Sequence, residues 1–516
     1  MTTAQTNGGG FNRFRGVFCI LLGVVLATQV ARGAPTTAEQ AQNVVKGWLR
    51  LDPQPLDMAV GQQVGHVEVF SGADGTAQYY VVYLEPVGFV IVPADDEVEP
   101  IIAFVMGSVY DPSDSNPLGA LVSKDVPSRV TVVRQEAAAG RRGVAAADGA
   151  KAKWALLQGM ADHGVLATPP EGLGSISDVR VSPLVESKWD QAEVGGNYCY
   201  NYYTPNHYVC GCVATAASQL MRYHQHPTTG VGTRSFQIYV DGSPQSRALR
   251  GGDGQGGPYD WANMVLVPGF GTSDTARKAI GALTHDAGIT VNMDYSYWGS
   301  GADTLQVASA LKDVFAYDNA VKGYNGGQNI GEPLKQMANP NLDAGLPVLL
   351  GITGPSGGHA IVCDGYGFEL STLYHHLNLG WSGYYDAWYY LPSGLASVGF
   401  TSIYKCVYNV YTTGSGEIIS GRITDADGDP LQGAEVTAQG TGAVYTSTSD
   451  AKGIYALAKL PSSSQFTISV ERAGYGFTDR QVSTGTSEDY RPTTGNVWGI
   501  DFEGAPGALQ GTGNFT

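Results

Sequence analysis

The segment from Gly211 to His224 reads GCVATAASQLMRYH. Its apolar residues recur at helical spacing, which predicts a helix with one side against a core. They are Val213, Ala216, Ala217, Leu220 and Met221. Cys212 falls in the first turn, where unpaired backbone amides and the positive end of the helix dipole favour a thiolate. Cys212 is therefore a candidate nucleophile, although buried structural cysteines are the commoner class.

A nucleophilic thiolate needs a base, and His359 is the best placed of the nine histidines. It follows a GPSGG turn and opens the apolar run HAIVCDGYG, 147 residues after Cys212. Asn378, in the strand-like segment YHHLNLGWSG, would orient the imidazole if the two segments pair. Upstream, Gln191 in KWDQAE would supply a side-chain amide to an oxyanion hole.

Taken in order, these segments resemble the streptopain-type cysteine peptidases, a bacterial branch of the papain-like fold. The resemblance rests on KWDQAEVGGNYCYN, GCVATAASQLMRYHQHP, YDWANM, AGITVNMDYSYWGSGADTLQVASALKDVF, GGHAIVCDGYG and NLGWSG. Further upstream, YYVVYLEPVGFVIVPADDEVEPIIAF is similar to the inhibitory pro-domain of such enzymes, so the resemblance covers residues 35–410.

The resemblance implies a role for each candidate residue. Cys212 would be the nucleophile, His359 the base and Gln191 an oxyanion donor, while Trp381 would shield the histidine pair. Asn378 falls at the family's asparagine position. The next position, often tryptophan in the family, is leucine here, which leaves the packing around the histidine open.

Composition divides the chain into six parts, and the predicted fold class is α+β. Arginines before a short apolar run and small residues predict a signal peptide. The predicted parts are a signal peptide over 1–33, an α+β inhibitory pro-domain over 34–135, a cleavable linker over 136–178, a papain-like peptidase domain over 179–412, a β-sandwich accessory module over 416–503 and a flexible tail over 504–516. The accessory module resembles the carboxypeptidase regulatory-like domains through GRITDADGDPLQGAEVTA and GIYALAKLP.

Charge and hydropathy limit the kinds of partner that the chain is expected to bind. With 30 basic and 47 acidic residues the net charge is −17, which disfavours nucleic acid. No segment after the signal peptide has the length of a membrane helix. We expect a secreted protein that acts on protein or peptide substrates, needs no cofactor and is inhibited by its own pro-domain. A surface or polysaccharide contact through the accessory module stays open.

The cysteines and histidines offer alternatives. Once Cys19 leaves with the signal peptide, five cysteines remain, and this odd number indicates a free thiol or an intermolecular bridge. A Cys199–Cys210 disulfide is favoured over two free thiols, with Cys210 as a rival nucleophile that precedes the helix. No metal site is expected, because the spacing of His224, His226, His375 and His376 matches no zinc pattern. DADGD at 425–429 predicts a hairpin turn, since it lacks the final glutamate of a calcium loop.

The function expected from these features is that of a secreted cysteine endopeptidase made as an inactive precursor. The GRRG sequence at 140–143 is one exposed place for a maturation cut, and the linker offers others. Two other classes use the same residues. One is a catalytically inert, peptidase-like binding protein, and the other is a transpeptidase or amidase with the same cysteine and histidine.

Overall fold

A computed structural model of the chain describes residues 34–107, 109–139, 145–163, 176–353, 357–391 and 402–506. The predicted signal peptide, the GRRG sequence and residues 507–516 of the predicted tail lie outside the described residues. No helix among the described residues is both long enough and apolar enough to cross a membrane.

The N-terminal region, residues 34–163, packs helices on both faces of an antiparallel sheet. Its elements are α1 (Ala38–Leu51), β1 (Gln63–Ser71), β2 (Ala77–Glu85), β3 (Phe89–Pro93), β4 (Ala103–Val105), α2 (Pro117–Ala138) and α3 (Ala145–His163). In β2 the side chains alternate: Tyr79 and Val81 join the core cluster that contains residues of α2, and Tyr80 and Val82 join the cluster of α1 and α3. The two-residue period of a strand thus buries both faces of the sheet.

Helix α3 differs from the prediction of an exposed linker over 136–178. Its Trp154 is 2% exposed and donates to the carbonyl of Val98 at 2.9 Å. The helix crosses α1 so closely that a Cβ atom on Gly47 would lie 1.8 Å from the carbonyl oxygen of Leu157. The run KWALLQGM at 153–160 predicts a short helix within this linker, and the structure extends that helix to Ala145–His163.

Among the described residues, the next part of the chain supplies four α-helices and strands to three sheets, and the pairings of the main sheet are all antiparallel. Its elements are β5 (Ser177–Val181), β6 (Glu193–Val194), β7 (Asn197–Tyr198), α4 (Cys212–His224), β8 (Ser235–Val240), β9 (Ser243–Ala248), α5 (Asp274–Thr290), β10 (Asp294–Ser296), β11 (Gly299–Gly301), α6 (Gln306–Asp313), β12 (Asn319–Tyr324), α7 (Pro333–Asp343), β13 (Val348–Thr353), β14 (Gly358–Glu369), β15 (Thr372–Asn378), β16 (Ala387–Tyr389) and β17 (Ile403–Tyr411). Helices α4, α5 and α6 share a core with Leu349 and Val362 of the sheet, while α2 and α7 share another with Leu350 and Ile361. Neighbouring residues of one strand thus face opposite helix layers.

The main sheet runs without a break from the N-terminal region into the next. Its strand order is β1-β2-β3-β4-β16-β15-β14-β13-β17-β12, and β5 pairs with β14. The junction is the antiparallel pair β4 and β16, in which Ala103 is opposite Tyr389 and Val105 is opposite Ala387. Two segments almost 300 residues apart therefore share one hydrogen-bonded sheet.

The C-terminal module is an all-β pair of four-stranded sheets around its own apolar core. Its strands are β18 (Glu417–Asp425), β19 (Glu435–Gln439), β20 (Val444–Thr448), β21 (Ile454–Leu460), β22 (Gln465–Glu471), β23 (Tyr475–Gly476), β24 (Arg480–Ser483) and β25 (Phe502–Pro506). The sheets order as β21-β18-β25-β23 and β20-β19-β22-β24. The predicted α+β fold class with a terminal sandwich is confirmed, although β25 extends past the predicted start of the tail.

The module is docked through buried asparagines. Asn409, at the end of β17, exchanges side-chain hydrogen bonds with Asn496 at 2.8 and 3.2 Å. Asn341 of α7 donates to Asn409 at 2.9 Å. All three residues are at most 5% exposed. Because buried amides are costly unless all are paired, this network fixes the module in one position.

Candidate active site

Helix α4 begins at Cys212, as its apolar spacing predicted. Gly211 precedes it with φ of +89°, a conformation that favours glycine. A Cβ atom on Gly211 would lie 2.8 Å from the carbonyl oxygen of Ser300 and 2.9 Å from the Met293 side chain. The chain therefore turns sharply beside residues 293–300, and this turn places Cys212 at the start of α4.

His359 lies near the start of β14, opposite Ile352 of β13, and it is close enough to Cys212 for each group to shift the pKa of the other. Burial opposes ionisation of Cys212, but the interaction of the thiol with His359 outweighs the effect of burial and lowers the pKa of the thiol. Burial likewise opposes protonation of His359, yet Cys212 raises the imidazole pKa. The backbone N–H of Ala360 also donates to the Cys212 sulfur at 3.4 Å. The two opposite pKa shifts favour a thiolate–imidazolium pair.

The imidazole of His359 is also bound by the N-terminal region. His359 Nε2 donates to the backbone carbonyl oxygen of Asp114 at 2.7 Å. Asp114 immediately precedes the turn capped by Asn116, where α2 starts. Nδ1 of His359 has no hydrogen-bond partner of regular geometry among the described residues. The thiol and imidazole are thus adjacent but loosely aligned, which is common in sites without substrate.

Asn378 lies in β15, which pairs with β14 and so meets the condition set for its role, and its own partner there is Val362. Its side chain contacts other elements, however. Oδ1 accepts from Gln219 Nε2 at 2.9 Å, and Nδ2 donates to the carbonyl of Ser187 at 2.9 Å. The predicted role of Asn378 in orienting His359 stays a prediction.

Gln191 and Trp381 lie at the edges of the same region. The carbonyl of Gln191 accepts from the N–H of Cys210 at 2.9 Å, so its backbone runs beside the residues that lead into α4. Trp381 follows β15, is partly exposed, and accepts a hydrogen bond from the N–H of Tyr384 at its carbonyl. Their roles as oxyanion donor and shield remain predictions.

The favoured disulfide between Cys199 and Cys210 is a correction, because both are free thiols in the structure. Each is fully buried, and Cys210 Sγ lies 3.3 Å from the Thr215 hydroxyl. Burial raises the pKa of both thiols to about 12. Cys210 is therefore held as a neutral thiol, unlike its neighbour Cys212.

The histidines considered for a metal have other partners. His224 meets the Tyr317 hydroxyl at 3.1 Å, and His375 meets the Asn339 side chain at 2.7 Å. His376 meets Asp364 at 2.6 Å. Among the described residues, no three histidine, cysteine, aspartate or glutamate side chains are grouped as metal ligands.

Two groups that contact the candidate site residues were not predicted from the sequence. The Asp114 carbonyl is a backbone group from a distant segment, and no side-chain motif indicates it. Gln219 lies seven residues after Cys212, so helical periodicity alone puts both on one side of α4. That periodicity was available in the sequence, but Gln219 was given no role from it.

Comparison with known families assigns three segments. Residues 189–389 match the Peptidase C10 family, residues 33–124 match the Spi protease inhibitor, and residues 418–493 match the carboxypeptidase regulatory-like domain. The predicted resemblance to streptopain-type peptidases is confirmed. These matches support a cysteine peptidase segment between an inhibitor-like segment and a β-sandwich.

Individual proteins are similar to parts of the chain. Streptopain from Streptococcus pyogenes serotype M1 is 29% identical over 256 residues, which cover 45% of this chain and 62% of the relative. The chain thus spans under two thirds of the streptopain length. The thiol protease/hemagglutinin PrtT of Porphyromonas gingivalis is 32% identical over 181 residues, 35% of this chain and 20% of the relative. A solved prointerpain A fragment from Prevotella intermedia has a TM-score of 0.47 at 20% identity, covering 67% of this chain and 98% of the fragment.

Proposed function

We propose that this chain is a secreted cysteine endopeptidase synthesised as an inactive precursor. Cys212 is the nucleophile, His359 is the acid and base, and Gln191 with the Cys212 amide receives the oxyanion. Trp381 covers the pair, and Asn378 completes the set as a supporting residue. The observation that carries the proposal is that β14 lies against the start of α4, where the N–H of Ala360, the residue after His359, donates to Cys212 Sγ at 3.4 Å. The lowered pKa of the thiol and the raised pKa of the imidazole agree with this placement.

The chemistry follows from that pair. The Cys212 thiolate attacks the peptide carbonyl carbon, and the carbonyl electrons move to the oxygen. As the C–N bond breaks, protonated His359 gives its proton to the leaving amine and an acyl-enzyme remains. Neutral His359 then accepts a proton from water, which attacks the thioester and releases the acid and the thiolate. The helix start favours the negative sulfur throughout, because its backbone N–H groups point towards it.

Latency is proposed to come from the N-terminal region. The Asp114 carbonyl accepts a hydrogen bond from Nε2 of His359. The β4–β16 pairing and the packing of α2 hold that segment over the site. Cleavage in the predicted linker, residues 136–178, would free it. The proposed pro-domain, 34–135, and signal peptide, 1–33, complete this scheme for an exported zymogen.

The proposal is tested by mass spectrometry of the secreted chain, incubated with and without iodoacetamide. We expect a shortened product that starts within residues 136–180, blocked when Cys212 is alkylated, and parallel cleavage of casein. The Cys212→Ala variant should fold, stay full length and leave casein intact. Normal maturation of this variant in the absence of other proteases would disprove the assignment. Aminolysis of the acyl-enzyme by added amines in preference to water would instead indicate a transpeptidase.

A further inference from the structure

A buried polar network ties three segments of the candidate site together through Gln219. Gln219 Oε1 accepts from the Ser187 hydroxyl at 3.0 Å and from the N–H of Trp189 at 3.2 Å. Gln219 Nε2 donates to Asn378 Oδ1 at 2.9 Å. Gln219 is fully buried, and the Ser187 and Asn378 side chains are at most 2% exposed. Helix α4, segment 187–191 and the end of β15 therefore meet at one amide.

The orientation of both amides is fixed by backbone donors. Because the N–H of Trp189 can only donate, the Gln219 atom facing it must be the oxygen, and the nitrogen then faces Asn378. In the same way the N–H of Gly380 donates to Asn378 Oδ1 at 3.1 Å, so Nδ2 faces the Ser187 carbonyl. Gln219 and Gly380 thus use both acceptor positions of Asn378 Oδ1, so this oxygen cannot also accept a hydrogen bond from the imidazole in this arrangement.

The network sets the register of segment 187–191 along α4. Gln219 holds residues 187 and 189, and the Thr215 hydroxyl, one turn nearer the helix start, lies 3.1 Å from the carbonyl of Asp190. The carbonyl of Gln191 then accepts from the N–H of Cys210. Successive residues of the segment thus follow the side of α4 that begins with Cys212. Gln191 is thereby brought level with the start of the helix.

We propose that Gln219 is a positioning residue that fixes the Gln191 amide relative to Cys212, and that Asn378 acts through Gln219 and Ser187 instead of on His359. The inference rests on the proposed peptidase function. It predicts which step suffers when Gln219 is replaced. Acylation by a peptide needs both the thiolate pair and a placed oxyanion donor, whereas alkylation by iodoacetamide needs only the thiolate.

The test compares Gln219→Met, which keeps the volume but removes all three hydrogen bonds, with Ser218→Ala. Ser218 is a matched control because it is the adjacent buried residue of α4, and its hydroxyl has no partner among the described residues. Each variant is matured by immobilised wild-type enzyme, which is then removed. The measurements are kcat and KM on a peptide substrate, and the rate and pH midpoint of Cys212 alkylation.

For Gln219→Met we expect kcat to fall about 10²-fold, the usual cost of misplacing an oxyanion donor, with KM and the alkylation profile unchanged. In the Gln191→Ala background, Gln219→Met should cause no further loss of kcat. Unchanged kcat, additive losses or a shifted alkylation midpoint would each overturn the positioning role. Should Gln219→Met fail to fold, Ser187→Ala removes one bond and should lower kcat by about 3- to 10-fold.

Asn378→Leu separates the two roles of that residue. If Asn378 acts through the network, its alkylation profile matches the wild type while kcat falls. A shift in the pH midpoint of alkylation would assign Asn378 to the imidazole and overturn this part of the proposal. Failure of the proposed function itself looks different, because the wild-type chain would then neither hydrolyse the peptide nor react fast with iodoacetamide.

Discussion

Trp48 donates its indole N–H to Glu369, with 2.9 Å between Nε1 and Oε1. Trp48 belongs to α1, within the inhibitor-like segment, and Glu369 ends β14, within the peptidase-like segment. Burial, followed by the nearby Asp52 carboxylate, raises the pKa of Glu369 well above its usual value, and the Trp48 and Ser177 hydrogen bonds oppose this only in part. Burial, followed by the charges of Glu99 and Glu369, raises the pKa of the nearby Tyr374. This contact between the two segments is therefore sensitive to protonation.

A Glu369→Gln substitution should stabilise the precursor at neutral pH. The folded pKa of Glu369 is raised, so its stabilising contribution is complete below the ordinary glutamate pKa of about 4.3 and is lost as pH rises through the raised value. Glutamine keeps the neutral form at every pH. In a Cys212→Ala background, which cannot mature, Tm should rise by a few degrees at pH 8, since about 1 kcal/mol shifts Tm by roughly 2–4 °C in domains of this class.

The gain from Glu369→Gln should disappear near pH 4, where both side chains are neutral. Glu193→Gln, an exposed change in β6, is the control and should leave Tm unaltered at both pH values. A constant difference between Glu369→Gln and its parent across the pH range would contradict the titration argument.

Selective alkylation should separate the two neighbouring cysteines. The lowered pKa of Cys212 keeps its thiolate populated near neutral pH, whereas Cys210 with a pKa of about 12 stays protonated and buried. Brief treatment with iodoacetamide at pH 6.5, followed by peptide mapping, should label Cys212 alone. Cys210→Ala should retain peptidase activity within about 3-fold, because it removes one buried thiol of small volume. Label on Cys210, or complete loss of activity in its alanine variant, would favour the rival nucleophile.

Loosening the start of α2 should accelerate maturation. Asn116 Oδ1 accepts from the N–H groups of Leu118 and Gly119 at 2.9 and 3.1 Å, which fixes the turn that carries the Asp114 carbonyl. Asn116→Ala removes this cap at a cost of about 0.5–2 kcal/mol. The time course of precursor conversion on gels should therefore be several-fold faster than for the wild type. Ser115→Ala is the control for the exposed part of the turn. A lower Tm without faster conversion would show that the Asp114 contact does not limit maturation.

The C-terminal module should stabilise the rest of the chain. Asn496→Leu leaves the amide of Asn409 and the N–H of Ile418 without their buried partner, at about 1–3 kcal/mol for unpaired groups. We expect a lower midpoint in urea unfolding with the slope unchanged. Gln439→Ala, at an exposed position of the same module, should unfold as the wild type does. An unchanged midpoint for Asn496→Leu would mean that the module is only tethered.

Local pattern was sufficient for some of the site. The helical spacing after Gly211 predicted α4 and put Cys212 at its start, and the apolar runs around His359 and Asn378 predicted two strands, which pair as β14 and β15. In both cases the signal lies within a few consecutive residues. The ordered motifs then supplied the family resemblance, which the match of residues 189–389 confirms.

The local sequence pattern did not predict the long-range contacts. The pairing of β4 with β16 joins strands of three residues each, and segments that short carry little register information. Whether Cys199 and Cys210 bond to each other depends on side-chain packing, and here Cys210 lies against Thr215 instead. The partners of Asn378 became visible only once α4 and segment 187–191 were located in space.

Removal of the N-terminal region would expose an edge of the shared sheet. Strand β16 is paired on one side by β15 and on the other by β4. Removal of residues 34–135 would uncover the outer backbone groups of β16, and such bare edges recruit other extended chains. The processed chain would then have an exposed strand edge that is far in sequence from Cys212. Its removed N-terminal segment, another polypeptide or a second copy of the chain can pair with this edge.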